Sequence, residues 1–198
     1  MTDEARPVSN WNIPNILTGI RLVLVPVFGW VLLAYAQDST MRWVSTAVFV
    51  VAILTDALDG RIARKYNLVT NFGKLWDPIA DKAITGMAFI GLSILSELPW
   101  WITIVILVRE WGITVLRWAI IKYGVMAANR GGKLKTVVQS VGISLFLPGL
   151  QFMPVWWDVI AWATMIAALI LTVITGLDYL REAAKLRANY LAEHQEER

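Results

Sequence analysis

The chain has 198 residues, of which 57% are hydrophobic and 11 are tryptophan; its mean hydropathy is +0.57 and its formal net charge +3. A composition this apolar excludes a soluble domain, because one core of this size cannot bury so much hydrocarbon. The absence of cysteine also excludes disulfides, thiol catalysis and thiolate metal sites.

Residues 1–12 form a polar N-terminal arm carrying Asp3, Glu4 and Arg6. The first apolar span is expected from about Ile13 to Ala36. Ala34-Tyr35-Ala36 has the look of a cleavage box, but the apolar run is too long and the arm too weakly basic for a leader. Gln37 to Met41 reads as a short loop, and a second span follows from about Arg42 to Lys65. The third runs from Gly73 to Ser96. The fourth opens at Pro99 and reaches Lys122, interrupted only by Arg109, Glu110 and Arg117. Tyr123 to Gly132 is a polar loop. The fifth span is expected from Lys133 to Gln151 and the sixth from Pro154 to Tyr179, and residues 180–198 form a charged amphipathic tail. His194, in that tail, reads as a solvated residue. The expectation is an all-α integral membrane protein: one membrane domain over residues 1–198, with six transmembrane helices.

Six spans put both termini on one side of the membrane. Arg61, Arg64, Lys65, Lys74, Lys122, Arg130, Lys133, Lys135, Arg181 and Lys185 fall on that side, whereas the opposite loops contain only Arg42. The opposite side carries Trp43, Trp100, Trp101, Trp156 and Trp157, the pattern of an interfacial aromatic belt. Both termini are therefore expected in the cytoplasm of a multi-pass cell-membrane protein. The basic balance suits an anionic inner leaflet and is no sign of nucleic-acid binding.

Within this apolar frame lie four carboxylates in 26 residues, Asp56, Asp59, Asp77 and Asp81. Spacings of three and four residues place each pair on one helical face. A single Asp at a membrane helix centre costs roughly 2.5–3.5 kcal/mol, so four together call for cations. Oxygen-only ligands suit Mg²⁺, Mn²⁺ or Ca²⁺ rather than zinc. Asp56 is 14 residues from Arg42, or about 21 Å along a helix, which puts the cluster in the cytoplasmic third, in a polar cavity open to the cytoplasm. Gly60 and Gly73 would admit a flat nucleotide close to backbone, and Arg64 could reach a diphosphate. Joining a soluble and a lipid-anchored phosphate compound needs these parts: metal, base and cations.

The string Asp-x-x-Asp-Gly-x-x-Ala-Arg, eight residues, then Gly-x-x-x-Asp-x-x-x-Asp resembles the signature of the CDP-alcohol phosphotransferase family at every fixed position. The resemblance implies a six-helix membrane fold, usually a homodimer, that releases CMP from a CDP-activated substrate with Mg²⁺ or Mn²⁺. It also implies that Asp56, Asp59, Asp77 and Asp81 serve the metal ions and that Asp81 is the general base. Contacts to CDP-diacylglycerol would fall on Asp56, Asp59, Gly60, Arg64, Thr70, Gly73 and Asp77.

The acceptor is argued from other residues. Arg109 and Arg117 in the fourth span, and Lys133 and Lys135 at the start of the fifth, outnumber Glu110 and could hold an acceptor phosphate. Segment Asn12–Arg21, Arg109-Glu110 with Leu116-Arg117, and Gly132–Thr136 with Gln139 resemble the branch of the family whose acceptor is sn-glycerol 3-phosphate. The implied reaction gives phosphatidylglycerol phosphate. Cardiolipin synthases and inositol-phosphate transferases of the same fold share parts of this pattern. A divalent-cation channel or transporter is the alternative outside enzymes. Against it, the carboxylates lie near one face and the two halves show no matching broken helices.

Overall fold

The computed structural model describes residues 13–65, 71–121 and 130–196. Among them are six α-helices and one 3₁₀ turn, with no strand: α1 (Ile13–Ala34), α2 (Ser39–Lys65), α3 (Asn71–Ile94), α4 (Trp100–Ile120), α5 (Arg130–Phe146) and α6 (Val155–Glu196), with the turn at Leu150–Phe152. The N-terminal arm and the body of the loop expected at Tyr123 to Gly132 lie outside the described residues. The described chain falls into two compact units.

The first unit comprises α1, α2, α3 and the segment Phe146–Met153. Helix α1 packs against both α2 and α3. Its contact row includes Phe28 and Leu32, both essentially without exposure, and the Phe28 and Phe49 rings lie 5.9 Å apart. Close approach depends on glycine. A Cβ at Gly29 would lie 2.7 Å from Met87 Sδ, and one at Gly91 would lie 2.7 Å from Leu32 Cδ2.

Caps set the helix ends here. Asp38 Oδ1 accepts the backbone N–H groups of Thr40 (2.8 Å) and Met41 (3.2 Å), which starts α2 three residues ahead of the expected Arg42. That shift draws Arg42 into the protein. Far from lying in a loop, Arg42 is completely buried and donates to both carboxylate oxygens of Glu97 (2.8 and 2.6 Å) and to the carbonyls of Leu147 (2.6 Å) and Phe146 (3.2 Å). A buried guanidinium is tolerable only when its donors are met in this way.

The second unit holds α4, most of α5, and α6. Ile102 and Ile106 of α4, Ile143 of α5, and Ala161, Met165 and Ala168 of α6 are buried. Helix α5 ends at Phe146, five residues before the expected Gln151, because Pro148 and the positive φ of Gly149 (86°) turn the chain. It also starts three residues early and takes Gly131 and Gly132 into its first turn. The expected charged tail is no separate element. It continues α6 without a break, giving a helix of 42 residues, about 63 Å long at 1.5 Å per residue.

Large apolar side chains stand exposed along these helices, among them Val23 (66%), Val108 (66%) and Val159 (64%). Among the described residues, two helices, over Asn15–Ala34 and Val155–Tyr190, are long and apolar enough to cross a membrane. Trp100 and Trp101 open α4, Trp156 and Trp157 open α6, and Trp43 lies in the first turns of α2.

Candidate functional site

The carboxylate motif occupies the end of α2 and the start of α3. Phe49 and Ala52, both buried, precede Asp56 at helical spacing, so the acidic positions extend a core-facing row. On α3, Ile84 and Ala88 are buried and continue the positions of Asp77 and Asp81 at the same spacing. Asp56 is one-third exposed and forms an ion pair with Arg21 of α1, which is 2% exposed. Asn15 and Thr18, two turns and one turn before Arg21, are buried on the same side of α1. Sequence reasoning gave Arg21 no role in the site, although the pairing ties α1 to its first carboxylate. Gly60 and Gly73 lie within α2 and α3. Thr70 and the side chains of Asp59, Arg64, Asp77 and Asp81 lie outside the described residues.

A second polar cluster lies in the other unit. Arg109 of α4 donates to Glu110 Oε1 (3.1 Å) and to Thr175 Oγ1 of α6 (2.9 Å). Lys135 of α5, only 3% exposed, forms a second ion pair with the same Glu110 oxygen. Arg117, two turns along α4 from Glu110, donates to the Tyr179 hydroxyl (2.9 Å). Both guanidinium groups lie over the Tyr179 ring, at 5.6 Å for Arg109 and 5.0 Å for Arg117. Of the four expected acceptor-phosphate residues, Arg109, Arg117 and Lys135 thus come together, while Lys133 is exposed on another side of α5.

Small residues make the convergence possible. A Cβ at Gly176 would lie 3.2 Å from Arg109 Cγ, one at Gly131 3.2 Å from Thr175 Cγ2, and one at Gly132 3.5 Å from the Tyr179 hydroxyl. Thr175 and Tyr179 were not singled out in the sequence. Their spacing of four on one face of α6 was the available signal.

Among the described residues, Arg109 and Lys135 both pair with Glu110, and Arg117 stands beside them on the Tyr179 hydroxyl. Arg109 Nε is buried and has no hydrogen-bond partner among the described residues. Such an arrangement is suited to a doubly charged anion. Beside it, α4 and α6 border an apolar groove of about 620 Å³ whose lining includes Val105, Val108, Leu116, Leu177 and Arg109.

A family model described as CDP-alcohol phosphatidyltransferase matches residues 11–174, most of the chain. The chain belongs to this family. A member from Mycobacterium tuberculosis strain H37Rv, named "Probable phosphatidylglycerophosphate synthase", is 51% identical over 178 residues, covering 88% of this chain and 82% of the relative. Proteins named CDP-diacylglycerol–glycerol-3-phosphate 3-phosphatidyltransferase are similar too. The one from Rickettsia typhi is 38% identical, covering 86% of this chain and 96% of its own. The one from Bacillus subtilis is 38% identical, covering 85% and 93%. The family match includes all four motif carboxylates and the α4 and α5 cations, and reaches to within one residue of Thr175.

Proposed function

We propose that this CDP-alcohol phosphatidyltransferase transfers the phosphatidyl group of CDP-diacylglycerol to sn-glycerol 3-phosphate, giving phosphatidylglycerol phosphate and CMP. The names of the similar proteins agree with this reading. The observation that carries the choice of acceptor is the cluster of Arg109, Arg117 and Lys135. Three basic side chains gathered on one face match a phosphate monoester dianion and would have no use for an uncharged alcohol.

The donor half of the chemistry belongs to the α2–α3 motif. Asp56, Asp59, Asp77 and Asp81 would hold Mg²⁺ or Mn²⁺, a donor set of carboxylate oxygens that suits hard cations. When bound, the metal neutralises the diphosphate and the charge growing on the CMP oxygen. Asp81 takes the proton of the acceptor's primary hydroxyl, whose oxygen attacks the β-phosphorus. Gly60 and Gly73 admit the nucleotide, with Arg64 and Thr70 among its contacts. Arg109, Arg117 and Lys135 would hold the acceptor's phosphate.

The same reading includes six membrane crossings, a cavity open to the cytoplasm, both termini cytoplasmic, and a homodimer. Exposed apolar helix faces and tryptophans at the starts of α4 and α6 support the crossings.

The test is CMP release by the purified protein with CDP-diacylglycerol, Mg²⁺ or Mn²⁺, and one alcohol at a time. Turnover is expected with sn-glycerol 3-phosphate and not with serine, inositol phosphate or phosphatidylglycerol. Asp81→Asn should abolish turnover while CDP-diacylglycerol still binds. Arg117→Ala should raise KM for glycerol 3-phosphate roughly ten- to hundredfold, the loss of one charge-assisted hydrogen bond. An unchanged KM would take Arg117 out of the phosphate site.

A further inference from the structure

Gln139 lies on α5 one helical turn beyond Lys135, on the same face. It is 4% exposed, and its Oε1 is buried without a hydrogen-bond partner among the described residues. The packing of α5 against α6 places it. A Cβ at Gly131 would meet Thr175 Cγ2 at 3.2 Å, and one at Gly142 would meet the Met165 backbone at 3.6 Å. Between these two contacts the facing stretch of α6 carries Thr172, with Thr175 at its end. The neighbouring hydroxyls do not satisfy the amide. Thr172 donates to the Ala168 carbonyl (2.7 Å) and Thr175 to the Leu171 carbonyl (2.6 Å). A carbonyl oxygen left unpaired in a helix core is unfavourable, and its retention calls for a partner that arrives from outside the fold.

We propose that Gln139 is a specificity-determining residue whose Oε1 accepts a hydrogen bond from the acceptor's secondary hydroxyl. This rests on the acceptor reading given above and adds to it the atom that distinguishes a polyol phosphate from a simple hydroxyalkyl phosphate. The geometry is that of the substrate class. The phosphate would be held by the cations around Lys135, and Gln139 stands four residues, about 6 Å of helix rise, along the same face, on the side where the hydroxyl of the adjacent carbon would fall. The amide is neutral, so it adds an acceptor beside the phosphate without adding repulsion. The hydroxyl donates its hydrogen to Oε1. No covalent change occurs at this position.

The experiment compares two acceptors in CMP release: sn-glycerol 3-phosphate and 3-hydroxypropyl phosphate, which keeps the phosphate and primary hydroxyl but lacks the secondary one. The native protein should favour glycerol 3-phosphate in kcat/KM by roughly ten- to hundredfold, as expected for a site left with an unpaired polar group by the analogue. In Gln139→Met and Gln139→Leu that preference should fall to about threefold or less. Glycerol 3-phosphate should lose rate while the analogue holds or gains, with KM for CDP-diacylglycerol unchanged. A purely structural role would lower both acceptors by the same factor and leave the ratio intact. An intact ratio in Gln139→Met, or a native protein that does not discriminate, overturns the proposal. A native protein that releases CMP with neither acceptor sinks the acceptor reading itself, which is a separate and distinguishable result.

Discussion

At the scale of single residues, legibility followed chemical contrast. Asp56, Arg109, Arg117 and Lys135 stand out because an ionised group in an apolar helix costs several kcal/mol and so calls for an explanation. Tyr179 and Thr175 were silent because both types sit comfortably in an apolar helix. Their roles come from neighbours on α4, and no linear pattern records that. Arg21 was visible as a charge, but its partner lies 35 positions away on another helix. That pairing has a consequence. Without metal, Arg21 is a counter-charge to Asp56, in a motif with three further carboxylates in its sequence. Arg21→Met should lower the stability of the metal-free protein by about 1–3 kcal/mol, the scale of one lost hydrogen bond between charged groups. Added Mg²⁺ should then raise the thermal midpoint of Arg21→Met by more than it raises that of the native protein, because carboxylates freed of a competing guanidinium bind the cation more tightly and stabilisation grows with [L]/Kd. Equal Mg²⁺ responses in chelator-stripped detergent samples would mean that Arg21 does not balance the metal site.

At the scale of elements, the apolar runs located the helices among the described residues, and two of the misjudged ends were decided by local backbone chemistry. Asp38 extends α2 backwards because its carboxylate accepts two orphan N–H groups. Pro148 and Gly149 cut α5 short even though the apolar run goes on to Phe152. The end of α3 is instructive in another way. Ser96 N–H donates to the Ser93 carbonyl (3.1 Å) and Glu97 N–H to the Leu92 carbonyl (3.0 Å), the paired bonds of a Schellman cap. That cap requires a left-handed residue, and Ser96 supplies it at φ 60°. It also delivers Glu97 to Arg42, where removing either buried partner would leave the other uncompensated. Ser96 is exposed and its side chain makes no contribution that glycine would forfeit. Ser96→Gly should therefore stabilise the protein by about 1 kcal/mol, relieving the left-handed penalty. In a thermal melt this corresponds to a rise of roughly 2–4 °C. A fall in the midpoint would show that the serine is not strained.

At the scale of the whole molecule, composition made the membrane class legible, and the distribution of Lys and Arg suggested an orientation. What it could not convey is that α6 runs on through the charged tail. An amphipathic tail and a helix extension share one periodicity, and only continuity of the backbone separates them. The extension makes orientation testable. At about 1.5 Å per residue, the 25 residues from Val155 to Tyr179 already exceed a hydrocarbon core of about 30 Å, so in the proposed topology the last turns of α6 should reach water on the cytoplasmic side. The native chain has no cysteine, which allows single reporters without background. Gln37, between α1 and α2, and Gln151, between α5 and α6, are exposed, as is Ala192 near the end of α6. In intact cells a membrane-impermeant maleimide should label Gln37→Cys and Gln151→Cys but not Ala192→Cys. Permeabilised cells should label all three. Labelling of Ala192→Cys in intact cells would overturn the proposed cytoplasmic placement of the C-terminal end of α6. Protection of Gln37→Cys in intact cells, with Gln151→Cys labelled, would instead remove one crossing from the six, since α1 and α2 would no longer form a hairpin across the bilayer.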